Sequence, residues 1–200
     1  MIKNNNKTLK FSLIAAIIII FATIIILLDK DIIGDDYVRR ILNMSAIYAI
    51  VSVSMNLVNG FTGLFSLGQA GFMAIGAFTV AVFTVPLELR PAIFYVVPQN
   101  PVFAQLHLPF FAALILGGLL AALIAILIGM PVLRLKSDYL AIATLGFSEI
   151  IRILLTNMKT ITNGASGIKG IPKMPTMWVF YIIAIVSVFF IVLLINSTYG

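Results

Sequence analysis

The sequence predicts an all-α fold, a polytopic transmembrane helix bundle with about six spans. Three observations carry this expectation. Of 200 residues, 62% are hydrophobic and 10% charged, against roughly 25% charged in a soluble domain. The apolar residues fall in runs of about 20, the length that crosses a hydrocarbon core about 30 Å thick. One run is interrupted near 59–76 by glycines and amides, which a plain anchor does not need.

The first candidate span is Phe11–Leu28, preceded by Lys3, Lys7 and Lys10. Its apolar run is longer than a signal-peptide h-region and no small-x-small cleavage site follows, so it reads as an uncleaved helix. The charged loop Asp29–Arg40 leads to a second span at Ile41–Val58 and a third at Leu64–Val85. The fourth is Pro109–Val132, the fifth Tyr139–Asn157 and the sixth Met177–Asn196. Basic residues occur on both sides of this arrangement, and counting them does not favour an inside N-terminus.

The stretch Met55–Ala81 holds Asn56, Asn59, Thr62, Ser66 and Gln69, with glycines at 60, 63, 68, 71 and 76. In hydrocarbon, irregular backbone is tolerated only where protein or a water-filled cavity surrounds it. The segment is therefore expected to be broken or re-entrant and to lie inside the protein, beside a pathway. Two small-residue stripes predict close helix packing: Ser66, Ala70, Ala74, Ala77 and Ala81, and Gly117, Ala121, Ala125 and Gly129.

Glu149 and Arg152 lie in the fifth span. At ~1.5 Å per residue from Tyr139, Glu149 is about 15 Å deep, near the midplane. Each charge alone costs about 2.5–3.5 kcal/mol there. Three residues apart on one helix, the two can pair. They are either a self-neutralising structural pair or residues that line a polar route or tie two helices together. Ser137 and Asp138 can cap the fifth helix. The loop Asn163–Pro172 contains three glycines and can turn tightly, return partway into the protein, or offer N–H groups to an anion.

Other chemistry is excluded or unsupported. The absence of cysteine rules out disulfides, Cys-ligated zinc and a thiol nucleophile. The single histidine, His107, belongs to a loop beside Pro109, so neither a histidine metal cluster nor a Ser–His pair within a span is expected. Lys169 is followed by Gly170 and does not complete a phosphate-binding loop. The net charge of +6 is scattered between spans and does not point to nucleic acid. No catalytic residue, metal or cofactor is expected in this chain.

Two passages together resemble a known family. Asn56–Phe78, NLVNGFTGLFSLGQAGFMAIGAF, is similar to the N-terminal signature of branched-chain amino acid ABC-transporter permeases. Leu133–Arg152, LRLKSDYLAIATLGFSEIIR, followed by Thr162–Pro172, resembles the M-type (LivM) subunit rather than its H-type partner. The resemblance runs from about Leu42 to the end. It implies one transmembrane permease domain over 1–200, in the bacterial plasma membrane. It implies a second, H-type permease subunit, two cytoplasmic ATPase subunits and an extracytoplasmic substrate-binding protein as partners. Branched-chain or related amino acids or amides would move inward by alternating access. In that picture Asn56, Asn59, Ser66 and Gln69 belong to the pathway wall or its support, and Glu149 and Arg152 hold the fifth helix in register. The loop Arg134–Asp138 would be cytoplasmic and Asn163–Pro172 outside. Family members continue past the position of Gly200 with a basic ATPase-docking loop and further spans, so this chain is expected to be the front part of a longer permease. An ion-coupled secondary transporter and a non-transporting structural membrane subunit are the alternatives. The first is disfavoured because the broken span occurs once, with no second copy.

Overall fold

A computed structural model describes residues 20–29, 35–172 and 176–197, and all its regular elements are helical. These are α1 (Ile20–Asp29), α2 (Asp36–Asn56), α3 (Gln69–Thr84), α4 (Arg90–Ile93), α5 (Pro101–Ala104), α6 (Phe110–Val132), α7 (Ser137–Asn157), α8 (Lys159–Thr162) and α9 (Trp178–Ile195). Among the described residues, four stretches are long and apolar enough to cross a membrane: Asp36–Phe61, Phe110–Val132, Tyr139–Asn157 and Trp178–Ile195. They match the second, fourth, fifth and sixth expected spans. Most of the first, Phe11–Leu28, lies outside the described residues. So do the side chains of Ser137 and Asp138, and with them their capping role.

The third span departs from its expected bounds. Helix starts only at Gln69, so α3 has 16 residues and a length of about 24 Å, short of a ~30 Å core. At its far end the chain turns by 96° into Leu87–Ile93. Pro86 marks this elbow, since a proline cannot continue the hydrogen-bond ladder.

The described residues fall into two compact units, one within Met1–Ser54 and Met174–Gly200 and one within Met55–Lys173. In the first, Ile25, Leu28, Ala46, Met177 and Tyr181 are buried together, flanked by Leu42, Trp178 and Ala184. Polar bonds fix the helix ends. The Met177 N–H donates to Asp29 Oδ1 at 2.9 Å, Arg39 Nε donates to the Leu28 carbonyl at 2.7 Å, and the Tyr181 hydroxyl donates to the Leu42 carbonyl at 3.2 Å.

In the second unit α3 packs against α6 and α7. A Cβ on Gly117 would lie 3.1 Å from the Gly76 carbonyl oxygen, so the expected Gly117–Gly129 stripe does meet α3 at its buried end. The other expected stripe is buried only at Ala81, with Ala74 half-buried. Ser66 precedes the helix, and Ala70 and Ala77 are exposed. The buried side of α3 carries Gly71, Ile75, Ala81, Val82 and Thr84. A Cβ on Gly71 would lie 3.0 Å from Ser148 Cα, so backbone meets backbone there. The closest approaches are at glycines, which a spacing of alanines does not reveal.

Candidate functional site

The polar residues of the glycine-rich segment sit where the chain leaves helical geometry. α2 runs into one π-helical turn, Leu57–Phe61, and the backbone is then irregular until Gln69. Gly63 lies within it at φ +67°, a conformation that a Cβ disfavours. A break of this kind exposes N–H groups that hydrocarbon cannot satisfy. Side chains satisfy them here. Asn59 Oδ1 accepts from the Ser66 N–H at 3.0 Å, and Ser66 Oγ accepts from the Gly68 N–H at 3.4 Å. Thr62 Oγ1 accepts from the Leu64 N–H at 3.3 Å while donating to the Val58 carbonyl. Thr144 on α7 accepts from the Leu67 N–H at 3.0 Å and so pins the break to the neighbouring helix.

The six expected site residues therefore separate into three groups. Asn59 and Ser66 meet and hold the break. Asn56 and Gln69, at its two edges, make no side-chain hydrogen bond among the described residues, and their amides are left to other partners. Gly60 leaves room for one of them: a Cβ there would fall 2.5 Å from Asn56 Oδ1. Glu149 and Arg152 pair with each other along α7. Arg152 Nε donates to Glu149 Oε2 at 2.9 Å and Arg152 Nη2 to Glu149 Oε1 at 2.5 Å. The bidentate pair is exposed, its side chains 66% and 52% accessible for Arg152 and Glu149 respectively.

Two contributors carry little signal in the sequence. Thr144 is a lone hydroxyl in an apolar span, and its partner lies 77 residues away. Arg90 reads as a loop cation, yet it is 4% exposed. Its guanidinium donates to the carbonyls of Val82 and Val85 at the end of α3, to Leu106 at 2.7 Å, and to Phe103. It thus caps the helix and fastens the following loop across it. Pro86 after the helix, with an arginine four residues on, is the one hint of this role in the sequence.

The loops beyond α3 and α7 meet at one end of this unit. The Asn100 N–H donates to the Thr160 carbonyl at 3.0 Å, and the Leu108 N–H to the Phe83 carbonyl at 2.9 Å. The Asn163–Pro172 loop turns tightly, with Asn163, Gly164, Gly167 and Gly170 all at positive φ. Among the described residues, no three His, Cys, Asp or Glu side chains group to hold a metal.

A family described as "Branched-chain amino acid transport system / permease component" matches residues 37–200. The high-affinity branched-chain amino acid transport system permease protein LivM of Salmonella typhimurium is 44% identical over 128 residues, which is 64% of this chain and 26% of that protein. LivM of Escherichia coli gives the same figures. The probable branched-chain amino acid transport permease protein LivM of Methanocaldococcus jannaschii is 28% identical over 153 residues, 66% of this chain and 43% of that protein. The chain thus spans well under two thirds of the length of each of these relatives. No solved structure matches it. The span-length apolar helices among its described residues and its bacterial relatives mark a multi-pass protein of the bacterial inner membrane. Because the family match covers residues 37–200, the chain belongs to the permease components of branched-chain amino acid transport systems.

Proposed function

We propose that this chain is a subunit of the membrane permease of an ABC importer that carries branched-chain amino acids, or related amino acids or amides, into the cytoplasm. The observation that carries the reading is the family match over residues 37–200, with 44% identity to two LivM proteins. Residues 1–200 act as one transmembrane permease domain in the bilayer. A second, H-type permease subunit completes the pathway, two cytoplasmic ATPases energise it, and an extracytoplasmic binding protein delivers the substrate. The chain itself performs no catalysis and holds no cofactor.

The packing supports an orientation. α3 and α7 run the same way, since Gly68 meets Thr144 and Gly71 meets Ser148 and Ile151. Their following loops are joined by the Asn100–Thr160 bond. Both loops then face outside when Arg134–Asp138 faces the cytoplasm. The polar residues divide the labour: Asn59 and Ser66 support the broken segment, while Asn56, Gln69, Glu149 and Arg152 face the pathway.

Uptake of radiolabelled leucine tests this reading. The full chain is expressed with its partner subunits in a bacterium lacking its own branched-chain permeases. Uptake that survives an uncoupler while ATP is held constant is the expected result. Uptake that collapses under the uncoupler would make the protein an ion-coupled carrier instead.

A further inference from the structure

We propose that Glu149 and Arg152 form a contact for the zwitterionic head of the transported amino acid, on the wall of a water-filled cavity. The inference rests on the permease reading above. α7 has three distinct faces. At 3.6 residues per turn, Leu140, Thr144 and Ile151 share one face, and all three are buried against the rest of the unit. Ile150 and Leu154 share a second face, which is exposed and apolar, as a lipid-facing surface is. Ile142, Leu145, Glu149 and Arg152 share the third. It is equally exposed, yet it carries both charges of the helix interior.

An ion pair on an exposed face in mid-span cannot rest against lipid without a large cost, and such residues normally face a bundle interior or a water-filled cavity. The second face is wholly apolar and suits lipid, whereas the third sets both charges beside Ile142 and Leu145 and suits the wall of such a cavity. The third face also matches the substrate class in two ways. A carboxylate and a guanidinium held side by side complement an α-ammonium and an α-carboxylate. One turn away on the same face, exposed Leu145 offers an apolar surface to a branched side chain. The substrate carboxylate takes the place of Glu149 on Arg152, and the substrate ammonium takes Glu149. Every charge keeps an opposite partner, and net charge is unchanged. Release needs only that the protein pair close again, so the contact can be both specific and transient.

The test uses introduced cysteines, because the 200-residue chain contributes none of its own. Leu145→Cys on the charged face, Ile150→Cys on the apolar face and Tyr95→Cys in the exposed loop are made in the full chain, in the assembled complex in membrane vesicles. Labelling by a charged, membrane-impermeant methanethiosulfonate is followed in time. Leu145→Cys and Tyr95→Cys are expected to label and Ile150→Cys to resist. Saturating L-leucine should slow labelling of Leu145→Cys several-fold, and 4-methylpentanoate, which lacks the ammonium, should not. Failure of Leu145→Cys to label while Tyr95→Cys labels would overturn the cavity. Labelling without protection by leucine, or equal protection by 4-methylpentanoate, would overturn the zwitterion contact. Leucine uptake by the wild-type complex is measured alongside. Uptake without protection sinks the contact alone, whereas absent uptake sinks the functional reading on which it rests.

Discussion

Replacing Arg90 by methionine keeps much of the side-chain volume and removes every donor. Five hydrogen bonds to four carbonyls disappear. Bonds to a charged donor are worth about 1.5–3 kcal/mol each, so the gross loss is large. Two effects reduce it. The guanidinium no longer has to be held away from water without a carboxylate partner, which relieves a penalty of several kcal/mol. Leu106 is exposed and Phe103 half-buried, so water can take over their carbonyls. Val82 and Val85 are buried, and water does not reach theirs. Two unsatisfied buried acceptors at about 1–3 kcal/mol each leave a net destabilisation of about 3 kcal/mol. For a chain of this size that corresponds to about 6–12 °C in apparent melting temperature. The assay is heating of the detergent-solubilised protein followed by size-exclusion of the surviving fraction. Arg90→Lys, with three donors on one nitrogen, should fall between the two. A methionine variant that melts with the wild type would refute the capping role and place Arg90 among ordinary loop cations.

Other consequences of the packing can be checked directly. Gly71→Ala should lower the yield of folded protein, because its new Cβ meets the α7 backbone, whereas Gly76→Ala on the same helix meets nothing within 4 Å and should accumulate normally. Equal yields would mean that α3 and α7 are not in backbone contact. Asn59→Ala and Thr144→Val each free one N–H of the break and should each cost about 1–3 kcal/mol. Limited proteolysis between residues 62 and 68 reads this as faster cleavage; unchanged cleavage in both would show that the break does not depend on these bonds.

The long apolar runs make α2, α6, α7 and α9 legible, because about 20 consecutive apolar residues match the thickness of a bilayer core and little else. The Glu149–Arg152 pair is legible for a similarly local reason, as three residues along a helix bring side chains together. Which face that pair occupies is not legible. That depends on Ser148 and Ile151 packing against Gly71, a contact across helices. The expected start of the third span falls too early because Leu64, Phe65 and Leu67 continue the apolar run while the backbone does not continue the helix. The amides of the break are readable as polar residues inside a membrane, but their division is not. Asn59 and Asn56 look alike in sequence; only the fold shows that Asn59 holds the Ser66 N–H, while Asn56 holds no such group among the described residues. Arg90 is the extreme case, since its acceptors lie up to 16 residues away and none is a charged residue.

The most direct test of the account is reconstitution of the full chain with its H-type partner and ATPases in proteoliposomes, with the binding protein and radiolabelled leucine on the extracytoplasmic side and ATP on the cytoplasmic side. Leucine accumulation that requires ATP hydrolysis and the binding protein and is indifferent to an imposed ion gradient is the predicted result. Accumulation driven by the gradient without ATP, or none under any condition with an intact assembled complex, would contradict it.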